Sequence, residues 1–82
     1  MAELLQVELV SPEEVIFSGE ANMVITRTDG GGEIAFQPGL APVLGALVEN
    51  RTRIYLADGN IPDVAVHRGF VEVSHDRVSI LS

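Results

Sequence analysis

The chain is short, acidic and free of both cysteine and lysine. Its 82 residues carry a formal net charge of −7, and 46% of them are hydrophobic, which suffices for one small domain that buries roughly 60% of its unfolded surface. Without cysteine there are no disulfides or thiolate metal sites, and without lysine there is no Walker phosphate loop and no lipoyl or biotinyl carrier domain. Five arginines in an acidic chain disfavour nucleic-acid binding, which needs clustered cations.

No segment of the sequence is typical of membrane insertion or export. The longest apolar run, "APVLGALV", is far short of the ~20 residues that span a bilayer. The N-terminus lacks a basic segment before its apolar residues. We therefore expect a soluble, intracellular protein without direct membrane insertion, formed by one domain over residues 1–82.

Apolar and polar residues alternate with a period of two through most of the chain, as in strands with one buried face. In chain order the strand-like runs are "LLQVELV", "MVITRT", "EIAF", "RTRIYLA", "FVEVS" and "RVSIL". Turn residues occur at Ser11-Pro12, Ser18-Gly19, Asp29-Gly30, Pro38-Gly39, Asp58-Gly59 and His75-Asp76. The run "APVLGALVEN" fits a buried strand and a helix equally well. Short strands at this spacing predict an all-β sandwich or barrel.

The stretch "DGGGEIAFQPGLAP" concentrates glycine and proline, and its local chemistry favours turns. Asp29-Gly30 between two strand-like runs is a strong hairpin signal. Pro38-Gly39 fits the two central positions of a type II turn. A phosphate-binding loop is disfavoured, because Asp29 and Glu33 place negative charge beside the glycines.

No group of residues predicts catalysis, a cofactor or a metal site. The stretch "SHD", Ser74–Asp76, contains the residue types of a hydrolytic triad, but consecutive residues cannot orient one another in that way, so we predict a polar turn. The two histidines, His67 and His75, have no partners at a metal-binding spacing. Arg51 and Arg53 share one face of a predicted strand, which suits either a partner or solvent.

Three stretches of the sequence together resemble a known family. They are "SPEEVIFSGEA", "GGEIAFQPGLAP" and "VHRGFVEVSHDRVSIL", in the order and at the spacing of the N-terminal domain of the epsilon subunit of bacterial and chloroplast F-type ATP synthases. The mitochondrial counterpart is called delta. The resemblance covers essentially the whole chain. It implies a flattened sandwich of about ten short strands in two sheets, with no C-terminal helical hairpin in these residues.

The resemblance also implies a function without a catalytic site of its own. In this family the subunit belongs to the central rotor, where it joins the gamma shaft to the ring of c subunits and couples ion-driven rotation to ATP synthesis. The implied partners are therefore the gamma subunit and the c ring, with no cofactor. The implied location is the cytoplasmic side of the bacterial plasma membrane, or the stromal face of the thylakoid in a chloroplast.

One stretch matches the ring-facing region of the family, in which a carboxylate often lies against a basic polar loop of the ring. Glu33 occupies the position of that carboxylate. The matching residues, which we expect to form a partner interface, are Gly31, Gly32, Glu33, Pro38, Gly39, Leu40, Ala41 and Pro42.

The sequence departs from the family pattern in three places. Ala35 replaces a usual glycine, and Leu40 replaces a usual histidine. The chain stops at Ser82, where family members generally continue into a helical hairpin that inhibits ATP hydrolysis and, in some bacteria, binds ATP. We therefore expect no nucleotide site and no inhibitory arm within these residues.

Two other functions stay open at this stage. A stand-alone acidic β-sandwich module that binds a small ligand or a protein predicts a deep apolar pocket and no affinity for gamma. A small hydrolase that uses Ser74, His75 or Glu33 is the weakest hypothesis, because no nucleophile has a base at motif spacing.

Overall fold

A computed structural model describes residues 3–39 and 42–82. The described residues contain no helix, and hence none long and apolar enough to cross a bilayer. They form the strands β1 (Leu5–Val10), β2 (Val15–Ala21), β3 (Met23–Thr28), β4 (Gly32–Phe36), β5 (Val43–Leu47), β6 (Asn50–Tyr55), β7 (Asp63–Val66), β8 (Gly69–Ser74) and β9 (Arg77–Leu81). The all-β prediction is confirmed.

The strands form two layers that belong to one continuous hydrogen-bonded sheet. The first layer has the order β2-β1-β9-β8-β5, and the second has the order β4-β3-β6-β7. The layers are joined where Thr28 of β3 pairs with Leu47 of β5. The described part of the chain is flattened, with extents of 34 × 25 × 18 Å. The predicted sandwich is therefore confirmed, with nine strands in the described residues.

The first and last strands lie side by side in the middle of the first layer. Gln6–Val10 of β1 pairs in parallel with Arg77–Leu81 of β9, and every other strand pair within the described residues is antiparallel. Backbone hydrogen bonds close both ends of the parallel pair. The amide of Gln6 donates to the carbonyl of Asp76 at 2.7 Å, and that of Ser82 donates to the carbonyl of Val10 at 2.8 Å.

The core lies between the layers and is built from the alternating apolar residues of each strand. Burying aliphatic side chains such as these stabilises a small domain by roughly 1.5–3 kcal/mol each. The buried apolar residues are Leu5, Val7, Leu9, Ala21, Val24, Phe36, Leu47, Ile54, Val66, Val71, Val73, Val78 and Ile80.

Two threonines are buried among these apolar side chains, and both are hydrogen-bonded. The hydroxyl oxygens of Thr26 and Thr52 lie 2.9 Å apart, and Thr52 Oγ1 donates to Asn50 Oδ1 at 3.0 Å. The amide nitrogen Nδ2 of Asn50 donates to the carbonyl of Val48 at 2.7 Å. This chain of bonds fixes the backbone where it leaves β5 and enters β6.

Two local expectations are settled by the strand bounds. The predicted turn at Ser18-Gly19 is wrong, because both residues lie inside β2, opposite Glu8 and Val7. A strand at the edge of a sheet tolerates a glycine, since only one neighbour depends on it. The ambiguous run "APVLGALVEN" contains strand β5, in which Leu47 is buried and Leu44 is exposed.

Candidate partner interfaces

The first part of the predicted ring-facing stretch is the loop of the β3–β4 hairpin. Thr28 pairs with Gly32, which leaves a three-residue loop of Asp29, Gly30 and Gly31. Gly30 and Gly32 have φ angles of 79° and 72°, a region that glycine adopts without the steric cost of a Cβ. A Cβ on Gly31 would lie 2.6 Å from Thr28 Oγ1. The hairpin prediction is confirmed, and the turn itself requires the glycines.

The second part of this stretch turns at Pro38-Gly39, directly after β4. Gly39 has a φ of 85°, as the third position of a type II turn requires. Pro42 is exposed, and Leu40 and Ala41 lie outside the described residues. Ala35 lies within β4 and has no positive φ, so its replacement of the family's usual glycine adds no left-handed strain.

Glu33 of β4 forms an ion pair with Arg53 of β6. Arg53 Nη2 lies 2.9 Å from Glu33 Oε2, and the two side chains are 40% and 54% exposed. The pair spans β3, since Ile25 of β3 is the register partner of Arg53, and Arg27 of β3 lies directly opposite Glu33. Glu33 therefore lies near a cationic residue on the adjacent strand β3 and contacts another on β6, the strand beyond it. No spacing in the sequence indicates this contact, because it crosses an intervening strand.

A second ion pair lies on the same strand face. Arg51 Nη2 contacts Asp63 Oδ1 of β7 at 2.9 Å. The hydrogen bond from Arg51 lowers the pKa of the Asp63 carboxyl and raises the pKa of the Arg51 guanidinium, and the mutual attraction of the charges adds to both shifts. Arg51 and Arg53 share a face, as the alternation predicted, and both bind carboxylates of the chain itself.

Apolar side chains form a continuous row across the outer face of the first layer. Phe70 and Leu81 are 58% and 51% exposed, although large apolar side chains are normally buried. Register pairing connects the members of this row, which we call the apolar row, in the order Ala46, Phe70, Leu81, Val10 and Val15. Leu44, which is also exposed, lies beside the row on β5.

The sequence itself carries a signal for the apolar row. Phe70 is in phase with the exposed residues Glu72 and Ser74, and Leu81 is in phase with Arg77 and Ser79. An apolar residue in the polar phase of a strand indicates an exposed apolar contact.

An open depression of about 390 Å³ lies at the β5 end of the apolar row. Ala46 and Phe70 of the row line it together with Asp29, Arg68, Leu47, Val48 and Gly69. Its wall therefore carries both charge signs, which differs from the deep apolar pocket that a small-ligand module predicts. The depression is suited to receive a protruding side chain from a protein surface.

The "SHD" stretch lies at the predicted turn, with Ser74 ending β8 and His75 and Asp76 connecting it to β9. Ser74, His75 and Asp76 are all exposed, and His75 has a φ of 54°. His67 Nδ1 lies 3.3 Å from Glu49 Oε2, with both side chains largely exposed. In residues 3–39 and 42–82, no three His, Cys, Asp or Glu side chains are grouped to hold a metal ion.

Comparison with known proteins identifies the family of the chain. Residues 4–82 match the family model described as the beta-sandwich domain of the delta/epsilon chain of ATP synthase. The chain belongs to this family. Membership in the delta/epsilon family confirms the resemblance carried by the three sequence motifs.

Curated relatives of the delta/epsilon family differ in length. The ATP synthase epsilon chain of Streptomyces griseus is 39% identical over 82 residues, which cover 100% of this chain and 65% of that protein. The epsilon chain of Micrococcus luteus is 44% identical over 80 residues, covering 98% of this chain and 86% of the relative. The chain thus spans about two thirds of the length of one relative and most of the other.

Solved structures share the sandwich of the delta/epsilon family. A chain in the cryo-EM structure of the Euglena gracilis mitochondrial ATP synthase (OSCP/F1/c-ring) superposes with a TM-score of 0.89 at 18% identity, covering 96% of this chain and 50% of that chain. A chain in the central stalk/c-ring structure of the Tetrahymena thermophila mitochondrial ATP synthase gives a TM-score of 0.74 at 15% identity, with 98% and 65% covered. At these identities the similarity shows the fold.

Proposed function

We propose that this chain is a non-catalytic subunit of the central rotor of an F-type ATP synthase. In this role residues 1–82 act as one domain that joins the gamma shaft to the c ring and couples ion-driven rotation to ATP synthesis. Membership in the delta/epsilon family supports the assignment of the chain to the ATP synthase complex. The observation that carries the joining role is the presence of two groups of exposed residues on one hydrogen-bonded sandwich: the apolar row and, in the described part of the ring-facing stretch, Gly31, Glu33, Gly39 and Pro42.

The apolar row is the proposed contact for gamma. Large apolar side chains that lie together on a surface mark a protein interface, and aromatic residues such as Phe70 frequently dominate the binding energy of such interfaces. The row crosses five strands of the first layer. A stable joint needs on the order of 1,000 Å² of buried surface or more, and a face of five strands provides a platform on that scale.

The stretch from Gly31 to Pro42 is the proposed contact for the c ring. Its turns at Gly30 to Gly32 and at Gly39 require left-handed backbone, and they present little side-chain bulk, so another backbone can approach closely. Glu33 is the carboxylate in this stretch. An exposed ion pair contributes only about 0.2–1 kcal/mol, so Glu33 adjusts the register of the contact and the surrounding surface supplies its strength.

A backbone hydrogen bond connects the apolar row to the hairpin loop, whose last residue, Gly31, begins the proposed ring contact. The amide of Asp29, at the start of the hairpin loop, donates to the carbonyl of Ala46 in the apolar row at 2.9 Å. The amide of Val48 donates to the carbonyl of Arg27 at 3.2 Å. A force applied to the hairpin loop thus reaches the apolar row through strand pairing, without a flexible linker. Transmission of torque between shaft and ring requires a rigid connection of this kind.

Co-purification with the gamma subunit tests this function. We expect the chain to bind gamma, and we expect Phe70→Ser combined with Leu81→Ser to abolish binding while leaving the thermal unfolding midpoint nearly unchanged, because both side chains are more than half exposed. Ile61→Ser is the matched control, since Ile61 is 52% exposed but lies before β7, away from the apolar row. Folded wild-type chain that fails to bind gamma would contradict the proposed function.

A stand-alone module that binds a polar ligand is the alternative function, because the charged wall of the depression beside Phe70 differs from the deep apolar pocket that the sequence-based alternative predicts. Asp29 and Arg68 in its wall suit a zwitterionic or polar ligand. This alternative predicts a chain that does not bind gamma and whose thermal unfolding midpoint rises in the presence of such a ligand.

The rotor function implies a location on the cytoplasmic side of the membrane, or on the stromal side in a chloroplast.

A further inference from the structure

Arg53 controls the electrostatic environment of the carboxylate in the proposed ring contact. Its guanidinium holds the Glu33 carboxylate at 2.9 Å. Arg27, in the strand between them, is the register partner of Glu33. A cationic group of a binding partner that approaches Glu33 therefore meets two like charges and a carboxylate that already has a partner.

The ion pair is exposed enough for a partner to reach it. The Glu33 side chain is 54% exposed and the Arg53 side chain is 40% exposed. At such exposure water screens the pair, and its strength corresponds to roughly a 1.5- to 5-fold change in an equilibrium constant. A partner can therefore displace or share the pair, at a cost in affinity of that size.

We propose that Arg53 is a specificity-determining residue of the surface around Glu33, because it competes with a cationic partner group for the Glu33 carboxylate. This inference rests on the proposed function, in which the partner is the c ring. Arg53 acts through Glu33 and is in this sense a positioning residue. The competition keeps the contact weak toward any single cation and favours a partner loop whose geometry lets Arg53 and the incoming group share the carboxylate.

Arg51 provides an internal control for this inference. It lies two positions before Arg53 on the same strand face and forms its own ion pair with Asp63, also at 2.9 Å. Replacement of either arginine by glutamine changes the net charge equally and breaks one exposed ion pair. Only Arg53→Gln removes the guanidinium that contacts Glu33. Because Asp63 lies opposite Arg53 in register, Arg51→Gln is combined with Asp63→Asn in a second control, so that no freed carboxylate competes for Arg53.

The test measures binding of the complex of this chain with gamma to purified c ring, over a series of salt concentrations. We expect Arg53→Gln to bind roughly two- to fivefold tighter than wild type, with a steeper loss of affinity as salt rises. Arg51→Gln and the charge-conserving Arg53→Lys should bind like wild type. Glu33→Gln should lower affinity, and it should lower it more when Arg53 is also glutamine.

The outcomes separate the inference from the proposed function. If wild type binds the ring and Arg53→Gln binds equally or more weakly, the competition is overturned while the ring contact stands. If Arg51→Gln tightens binding as much as Arg53→Gln does, net charge alone explains the effect and the inference is again overturned. If wild type bound to gamma does not bind the ring, the ring contact fails, and the role of Arg53 fails with it.

Discussion

In a small domain, a single buried hydrogen bond contributes a sizeable part of the free energy of unfolding. The hydroxyls of Thr26 and Thr52 are buried, and between them they have two protons to donate. One hydroxyl donates to the other, and the remaining proton is accepted by Asn50 Oδ1. Asn50 therefore supplies the acceptor for the remaining hydroxyl proton in this part of the core.

Asn50→Ala should lower the free energy of unfolding by about 1–3 kcal/mol, because it leaves one buried hydroxyl proton without an acceptor. In a Thr26→Val, Thr52→Val background the same substitution should cost less, since no buried hydroxyl remains to be satisfied. Urea unfolding of the variants measures both values. An equal cost in the two backgrounds would show that Asn50 acts only through its bond to the Val48 carbonyl.

The ion pair between Arg51 and Asp63 makes stability depend on pH. Because Arg51 lowers the pKa of Asp63 in the folded chain, the contribution is present above the unfolded pKa of the carboxyl and is lost as the pH falls through its folded value. Arg51→Gln should therefore be less stable than wild type at pH 7 and equally stable at roughly pH 2. Urea midpoints across this range provide the measurement, with Arg77→Gln as a control for lost charge.

At the level of single residues, the sequence predicted conformations better than contacts. The left-handed glycines at Gly30 and Gly39 follow from local turn chemistry, which a few adjacent residues determine. The ion pair of Glu33 and Arg53 depends on strand order and register, which arise only when distant segments pair. Whether the stretch from Gly31 to Pro42 contacts the ring stays a prediction.

At the level of elements, the pairing of β8 with β9 depends on a close approach between their backbones. Gly69 begins β8 at a point where a Cβ would fall on the carbonyl of Leu81 in β9. Backbone cannot yield as a flexible side chain can, so this position demands glycine. Gly19 in β2 differs, because a Cβ there would make an ordinary contact, 3.5 Å from the ring of Phe17.

Gly69→Ala should destabilise the domain by about 1–3 kcal/mol or more, through strain at the β8–β9 pairing. Gly19→Ala should change the unfolding free energy by no more than about 0.5 kcal/mol. Thermal and urea unfolding of the two variants compare one alanine substitution in two strands. An unchanged midpoint for Gly69→Ala would contradict the close approach.

The alternation of apolar residues predicted the existence of most strands, because the buried face of each strand appears as a pattern of adjacent residues. Turn chemistry gave a wrong prediction at Ser18-Gly19, where turn-forming residues lie inside an edge strand whose pairing with β1 overrides their preference. The sequence was also ambiguous in one place. The run that contains β5 fitted a helix and a strand equally well, since Pro42 and Gly45 interrupt a helix without excluding a strand. Pairing of β5 with β8 decides for the strand.

For the whole molecule, the sequence predicted the class of fold but not its strand order. The period of two and the turn spacing predicted an all-β sandwich or barrel, and the family resemblance implied the sandwich. The order β2-β1-β9-β8-β5 places strands from the two ends of the chain together, and no local pattern encodes such neighbours. The apolar row is likewise a property of the assembled layer, since its members come from five different strands.

The parallel pairing of β1 with β9 has a consequence for synthesis on the ribosome. Until β9 emerges, the first layer lacks its middle strand, and the facing edges of β1 and β8 have nothing between them. Open strand edges of a nascent chain are prone to wrong pairing and aggregation. The layer therefore closes only after translation has passed Leu81, and the apolar row, which includes Leu81, is completed at the same moment.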